Sequence, residues 1–474
     1  MRMLIDNVWA DASTGELIDV TDPSTGAFIE TIPRGSAEDA NRAIQAAAAA
    51  FPGWRRLPMV HRTGLQRNFA AKLRENTDRI AAALNKELGR PFPLCQREIG
   101  RAADLLDHFA DEGDRLADTW ANEAKADAVV LHQPVGVVVA IAPFNYPVNL
   151  ILMKIGAALI AGCTVVAKPA EDTPLSTLML GELALEVGYP PGVLNIVTGF
   201  GGEIGAALVN HPTPRKIAFT GGTQAGKIIA AVAAERLKRV TLELGGQSPA
   251  IVCADADLDA AASAIVRFGF SNSGQFCYRV ARVLAQGSIV GELEHKIAVL
   301  TNNLRVGSGH DPDVDMGPLI GTRILNLAKR HVQDALDHGA RLVTGGQQLV
   351  GGIFDKGCYF PPTVLADCSP DMMVMTQEAF SPVIGITTFG TTDEAISLAN
   401  GTDYGLAAFV FSRDLEQARH IAGEIDAGSV WINDIRRSRH DMPFGGMKLS
   451  GIGREKGAYG IKAYLELKSV YLPG

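Results

Sequence analysis

Two residues of the 474-residue chain sit in settings that suit covalent chemistry. Glu243 ends the apolar run Val240-Thr-Leu-Glu-Leu-Gly-Gly246. The flanking leucines desolvate its carboxylate and raise its pKa toward the range of a general base. In isolation the same run reads better as a strand ending in an exposed glutamate, and the weight of the catalytic reading comes from the cysteine 34 residues on. Cys277 lies in the polar, glycine-containing stretch Ser271-Asn-Ser-Gly-Gln-Phe-Cys-Tyr-Arg279. A lone buried cysteine is usually an inert small hydrophobe, whereas a thiol in a polar loop is set up to react. A nucleophile and a carboxylate base are parts that acyl transfer needs.

Two glycine-rich stretches suit phosphate contact. Thr198-Gly-Phe-Gly-Gly-Glu-Ile-Gly205 follows a strand-like run and precedes a helical one. Glycines there let backbone approach a pyrophosphate at a helix N-terminus, although the spacing is G-x-G-x-x-x-G and a plain tight turn reads equally well. In Phe219-Thr-Gly-Gly-Thr-Gln-Ala-Gly-Lys-Ile228, Gly221, Gly226 and Lys227 match the front of a P-loop. Ile228 occupies the position that should ligate magnesium, which argues against an ATPase.

These residues need a scaffold, and the pattern around them supplies one. Val135 to Val166 is the most apolar region, but Pro143, Asn145, Pro147, Asn149 and Lys154 divide it into pieces too short for a membrane span. It reads as strand (135–142), turn, helix (148–160) and strand (164–167). Helices are expected over 39–50 and 61–88, with strands at 194–197, 216–220 and 250–253. A second series runs through 280–284, 323–338, 383–389, 394–400, 407–411 and 429–432. Alternating strands and helices imply βαβ units in parallel sheets, hence two α/β domains meeting near residue 246.

Composition narrows the partners. Forty-four Lys and Arg against 52 Asp and Glu give a net charge of −8 without long runs of one sign, so nucleic acid is not expected. The 50 glycines exceed ordinary usage and are scattered, which excludes collagen-like or linker character. Six cysteines show neither metal-ligand spacing nor a disulfide framework, so no metal and a reducing, cytoplasmic setting are expected. The N-terminus lacks the apolar stretch of a secretory signal.

Seven segments occur in the order found in the NAD(P)-dependent aldehyde dehydrogenase superfamily, which the whole chain resembles. They are Ala142-Pro-Phe-Asn-Tyr-Pro147, Lys168-Pro-Ala-Glu-Asp-Thr-Pro174, Phe219-Thr-Gly-Gly-Thr223, Leu242-Glu-Leu-Gly-Gly246, Gly274-Gln-Phe-Cys277, Glu378-Ala-Phe-Ser-Pro382 and Pro443-Phe-Gly-Gly-Met-Lys-Leu-Ser-Gly451. The resemblance implies that Cys277, as thiolate, attacks an aldehyde to give a thiohemiacetal and then a thioester. Asn145 and the Cys277 amide would form the oxyanion hole, and Glu243 would activate the hydrolytic water. Lys168 and Glu171 would hold the adenosine ribose, Glu378, Phe380 and Phe144 the nicotinamide end, and Gly201, Gly221 and Gly222 would face the pyrophosphate. Glu171 implies NAD over NADP, because a carboxylate accepts from a 2′-hydroxyl and repels a 2′-phosphate.

The resemblance further implies a cofactor domain (1–113 and 134–245), a catalytic domain (246–442) and oligomerisation segments (114–133 and 443–474). The last would form a small sheet in a homodimer or homotetramer. Some positions depart from the commoner pattern: Gln377, Met153 and Gly222 place the chain nearer members that resemble lactaldehyde, phosphonoacetaldehyde and non-phosphorylating glyceraldehyde-3-phosphate dehydrogenases. Arg279 and the run Arg436, Arg437 and Arg439 suit an anionic aldehyde such as a semialdehyde. Against this, Phe276 rather than arginine precedes Cys277. Tyr146, Phe276 and Phe444, with Tyr278 and Phe144, suit an aromatic or aliphatic aldehyde equally. A CoA-acylating relative usually lacks the base glutamate, which is present here, and a catalytically retired protein has no need of all three groups.

Overall fold

Continuous Val, Ile and Ala runs become strands buried on both faces. Thr164–Lys168 and Lys216–Thr220 are buried throughout, and Val137–Ile141 in all but its last residue. In the computed structural model, which describes residues 1–121 and 127–473, these strands form the middle of an eight-stranded sheet. Its order is Val8–Ala10, Met3–Ile5, Leu194–Ile196, Thr164–Lys168, Val137–Ile141, Lys216–Thr220, Arg239–Glu243 and Gly451–Ile452. The five central strands are parallel, and antiparallel pairs close both edges. Chain order reverses between Val137–Ile141 and Lys216–Thr220, and at such a switch point the carboxyl ends of the strands leave a ligand crevice.

A second sheet of seven strands runs Arg341–Thr344, Thr363–Ala366, Val383–Phe389, Arg282–Gln286, Pro249–Val252, Ala407–Phe411 and Ser429–Ile432. It is parallel except at the Arg341–Thr344 edge. The helical stretch expected over 61–88 is two helices, Met59–Glu75 and Thr77–Leu88, with Asn76 between them. The Asn76 side chain donates to the Lys72 carbonyl at 2.9 Å, competing locally with the helix. The strand expected from Val280 begins at Arg282, because Ala281 and Arg282 first bend their amides onto the Ser248 carbonyl.

Residues 443–474 divide. Gly451–Ile452 adds to the eight-stranded sheet, Gly457–Lys462 is a short helix, and Leu465–Tyr471 pairs antiparallel with Ala128–Pro134. Residues 122–126 of the expected segment 114–133 lie outside those described. Among the described residues no helix is long and apolar enough to cross a membrane.

Two buried carboxylates start the helices nearest the crevice. Helix Leu175–Val187 has no side-chain cap of its own, and Glu87 accepts from the Leu175 and Ser176 amides at 2.6 and 3.0 Å. Helix Pro147–Ala161 likewise lacks its own side-chain cap, and Glu98 accepts from the Val148 and Asn149 amides, each at 3.0 Å. Both carboxylates thus satisfy amides that a helix start leaves unpaired. Glu98 is ion-paired with buried Arg90, whose guanidinium also donates to the Asn145 carbonyl and lies 4.7 Å from the Tyr146 ring centroid. Removing one partner strands the other charge. Glu98→Ala is therefore expected to lower stability by about 3–5 kcal/mol, read by denaturant unfolding, with Arg90→Met added to it restoring part of the loss. A single variant as stable as the wild type would contradict that dependence.

Candidate active site

The carboxyl ends of the central strands bring together most of the residues singled out in the sequence. Phe144 and Asn145 follow Val137–Ile141, Lys168 ends the next strand, and Gly221 and Gly222 join Lys216–Thr220 to helix Thr223–Glu235. Glu243 is the last residue of Arg239–Glu243, and Gly201 opens a π-helical turn, Gly201–Gly205, beyond Leu194–Ile196. Lys168 donates to the Pro169 carbonyl at 2.9 Å and to Glu171 at 3.3 Å. Gly201 and Gly222 have open space where a Cβ would stand.

Across the crevice, Glu378 and Phe380 lie between helix Met373–Thr376 and strand Val383–Phe389 of the second sheet. Glu378 accepts from the Gly246 amide at 3.0 Å, and a Cβ on Gly245 would stand 2.4 Å from its carboxylate, so a side chain there would displace the carboxylate from its place. The Phe380 ring meets Phe144 edge-on at 5.8 Å.

Cys277 stands after a loop in which Asn272, Ser273 and Gly274 all have positive φ, at 52°, 57° and 70°. A Cβ on Gly274 would come within 2.3 Å of the Ser381 carbonyl, so only glycine allows the loop to pack there. The Asn145 side-chain amide donates to the Gln275 carbonyl at 3.0 Å, which fixes its orientation and leaves its second hydrogen for another acceptor. Asn272 donates to the Asn145 carbonyl at 3.2 Å, joining this loop to the first sheet.

Burial sets the protonation states. The Cys277 thiol is pushed up to about 12 by desolvation and then by the negative charges of Glu378 and Glu243. The thiolate that the resemblance implies for the attack therefore has to form against burial and two nearby carboxylates. Glu378 is raised to about 7, chiefly by burial. Glu243 is 3% exposed, neither carboxyl oxygen has a hydrogen-bond partner, and burial followed by repulsion from Glu455 holds it well above the ordinary carboxylate range. Behind it, buried Lys154 donates to Thr220 and Glu455, each at 2.7 Å.

A cavity of about 570 Å³ opens above Cys277 and Asn145. Its walls include Tyr146, Phe276, Tyr278 and Phe444, and Tyr278 packs edge-on against both phenylalanines. Its cations are not all those expected. Arg439 lies outside, exposed and paired with Asp441 at 2.5 Å, because Asp441 is the nearer counter-charge. Arg279 is 2% exposed and donates to the Val280 and Val383 carbonyls, so it does not line the cavity. Arg437 does: it donates to the Tyr146 hydroxyl at 2.5 Å and lies 5.0 Å from the Phe276 ring centroid. Arg90, Arg97, Glu98 and Arg101 from helix Phe92–Ala121 and its approach, together with Lys456, escaped the sequence reading. Arg97, Arg101 and His108 recur at helical spacing, a signal that was present; for Lys456 there was none.

The sequence matches the profile of the aldehyde dehydrogenase family over residues 9–470. It is 39% identical to a 3-sulfolactaldehyde dehydrogenase of Pseudomonas putida over 100% of this chain and 97% of the relative. It is also 39% identical to an NADP(+) succinate-semialdehyde dehydrogenase of Escherichia coli K12, over 98% of this chain and 96% of the relative. The fold superposes with a TM-score of 0.96 on betaine aldehyde dehydrogenase of Staphylococcus aureus in complex with NAD+, 34% identical over 99% of this chain and 94% of that one.

The Cys277 environment makes a prediction independent of turnover. Iodoacetamide should label the ligand-free thiol at pH 8 at least about tenfold more slowly than glutathione, with the rate still climbing at pH 10. Glu378→Gln removes the larger of the two opposing charges and should speed labelling, followed by mass spectrometry against Cys277→Ser. Rapid labelling that plateaus near pH 8 would contradict a resting thiol that keeps its proton.

Proposed function

The chain belongs to the aldehyde dehydrogenase family, and from that premise we propose that it oxidises a small aldehyde bearing an anionic group, such as a semialdehyde, with NAD. The oxidation of an aldehyde to its acid with a nicotinamide dinucleotide comes with the family. Under this reading the Cys277 sulfur bonds to the aldehyde carbon and gives up its proton. The Asn145 amide and the Cys277 backbone N–H stabilise the oxyanion of the resulting thiohemiacetal. The dinucleotide, when bound, supplies the hydride acceptor. Glu243, its pKa raised by burial, takes the proton of the water that cleaves the Cys277 thioester. Lys168 and Glu171 would hold the adenosine ribose, with Gly201, Gly221 and Gly222 against the pyrophosphate. Phe144, Glu378 and Phe380 would flank the nicotinamide end.

The anionic substrate rests on one observation: Arg437 lines the cavity above Cys277 with no carboxylate within 4.0 Å among the described residues. A guanidinium half-sunk among aromatic rings without a counter-charge is costly unless a ligand supplies one. The aromatic walls then take the carbon chain, and an uncharged aromatic aldehyde would leave that guanidinium uncompensated. The names of two relatives, which carry a carboxylate and a sulfonate on their aldehydes, agree with this reading. NAD rather than NADP rests on Glu171, since a carboxylate beside Lys168 repels a 2′-phosphate. All six cysteines are unpaired, which suits a reducing, cytoplasmic setting.

Initial rates of NADH formation test both parts. The kcat/KM ratio of succinic semialdehyde to pentanal should fall about tenfold to a hundredfold in Arg437→Met and stay constant in Arg439→Ala. The NAD to NADP ratio should fall about tenfold in Glu171→Ser, and Cys277→Ala should be inactive. No preference for the anionic aldehyde, or a preference for NADP in the wild type, overturns the corresponding part.

A homodimer or homotetramer belongs to the same reading. Ala128–Pro134 and Leu465–Tyr471 form a two-stranded ribbon carrying exposed Val130, Leu131, Leu467 and Tyr471. Such a ribbon is marginal by itself and is stabilised by a neighbour. Sedimentation should find a dimer or larger species for the full chain and a smaller one after deletion of residues 465–474. A monomeric full chain would exclude this assembly.

A further inference from the structure

Lys456 occupies a backbone conformation that belongs to glycine. Its φ of 67° and ψ of 164° fall in a region that essentially only glycine populates, yet the residue is a lysine 4% exposed. The conformation is imposed from both sides. Glu455 exchanges backbone hydrogen bonds with Phe444 at 2.7 and 2.9 Å, and the Gly457 amide donates to the His440 carbonyl at 2.8 Å. Between these anchors the side chain enters the cavity above Cys277. Its Nζ donates to the Ser438 hydroxyl at 2.6 Å and lies 5.3 Å from the Phe444 ring centroid.

The nitrogen stands among other cations. Arg101 donates to the carbonyl of the same Ser438 at 3.0 Å, and Arg437 precedes Ser438 in the chain. Among the described residues none of Lys456, Arg101 and Arg437 has a carboxylate within 4.0 Å, whereas Arg90 on the same wall is paired with Glu98. Two chain segments and a long helix thus converge positive groups on one part of the cavity, with aromatic rings beside them.

We propose that Lys456 is a specificity-determining residue whose side-chain nitrogen forms, with Arg437 and Arg101, the subsite for the anionic group of the aldehyde. The assignment rests on the anionic-aldehyde reading and adds a pH dependence to it. Burial, then the positive charges of Arg101 and Arg437, bring Lys456 down to about 7, with Glu455 and Cys277 acting in the opposite direction. His440 and His108 are further titratable neighbours on that side, Asp104 acts on Arg101 and His440 with the opposite sign, and Glu243 feels the Lys456 charge. Only the ammonium form attracts an anion. Preference for an anionic aldehyde is therefore greatest below about pH 7 and declines as the lysine loses its proton above it.

The test is the ratio of kcat/KM for succinic semialdehyde to that for pentanal, measured with NAD from pH 6 to 9. Taking the ratio cancels the ionisations of the free enzyme, which both aldehydes meet alike. In the wild type the ratio should fall severalfold across this range. Lys456→Gly, which suits the backbone and should not lower the melting temperature, should reduce the low-pH ratio about tenfold and flatten the profile. Lys456→Arg should keep a high ratio while losing its pH dependence. A wild-type preference that survives unchanged in Lys456→Gly overturns the assignment and leaves the anionic-aldehyde reading standing. A wild type without any preference overturns both. An equal loss on both aldehydes would tie Lys456 to the thiol chemistry and overturn its role in anion recognition.

Discussion

The buried ion pair between Arg90 and Glu98 is the contact on which the site's geometry depends. The Glu98 carboxylate takes up the first free amides of helix Pro147–Ala161, and Arg90 holds the Asn145 carbonyl just before that helix. Asn145 is thereby fixed at its backbone, and its side chain is fixed by the Gln275 carbonyl of the loop that carries Cys277. Asn272 of that loop returns a bond to the Asn145 carbonyl. A pair of charges away from the reacting atoms thus registers a strand end of one sheet against a strained loop beside the other. Such a pair contributes little net stability, because desolvation offsets most of its attraction. Its contribution is placement: neither partner can move without leaving the other uncompensated.

The same low dielectric that makes this pair unforgiving sets the chemistry. Glu243, Glu378 and Cys277 all lose solvation, and each negative charge disfavours the next. All three groups are consequently shifted toward their protonated forms. Ionising one of them raises the cost of ionising another, so charge must develop sequentially. That ordering is compatible with a reaction in which a thiol and later a water molecule each surrender a proton, and it follows from burial without any special geometry.

Much of the scaffold was legible in the sequence because its signals are local. Short β-branched and apolar runs such as 137–141, and 217–219 within 216–220, read as buried strands, and the glycines at 221, 222 and 245 mark turns at strand ends. Glu243 and Cys277 stood out by the contrast between residue type and surroundings. Arginine roles were not legible, because a guanidinium reaches several ångströms and its partner is chosen in three dimensions. Arg439, the expected clamp, found Asp441 two residues away, while Arg437, in the same run, turned into the cavity. Arg279, two residues past the thiol, is directed instead onto backbone carbonyls by the strand that starts at Arg282. Lys456 was invisible for a different reason: no sequence pattern announces a lysine in a conformation suited to glycine.

That turn also explains how one short segment can serve both sides of the centre. Glu455 and Lys456 are consecutive, yet the Glu455 carboxylate meets Lys154 behind Glu243, whereas the Lys456 nitrogen meets Ser438 within the cavity. The two charges bear on Glu243 with opposite sign: Glu455 raises its pKa and Lys456 lowers it. Lys154 and Arg454 lower it as well, so Lys456 is one of three cations set against Glu455 and the burial of the carboxyl. One turn of backbone thus places opposite charges on the two sides of the centre, and a net charge of −8 spread over the whole chain gives no hint of that local arrangement.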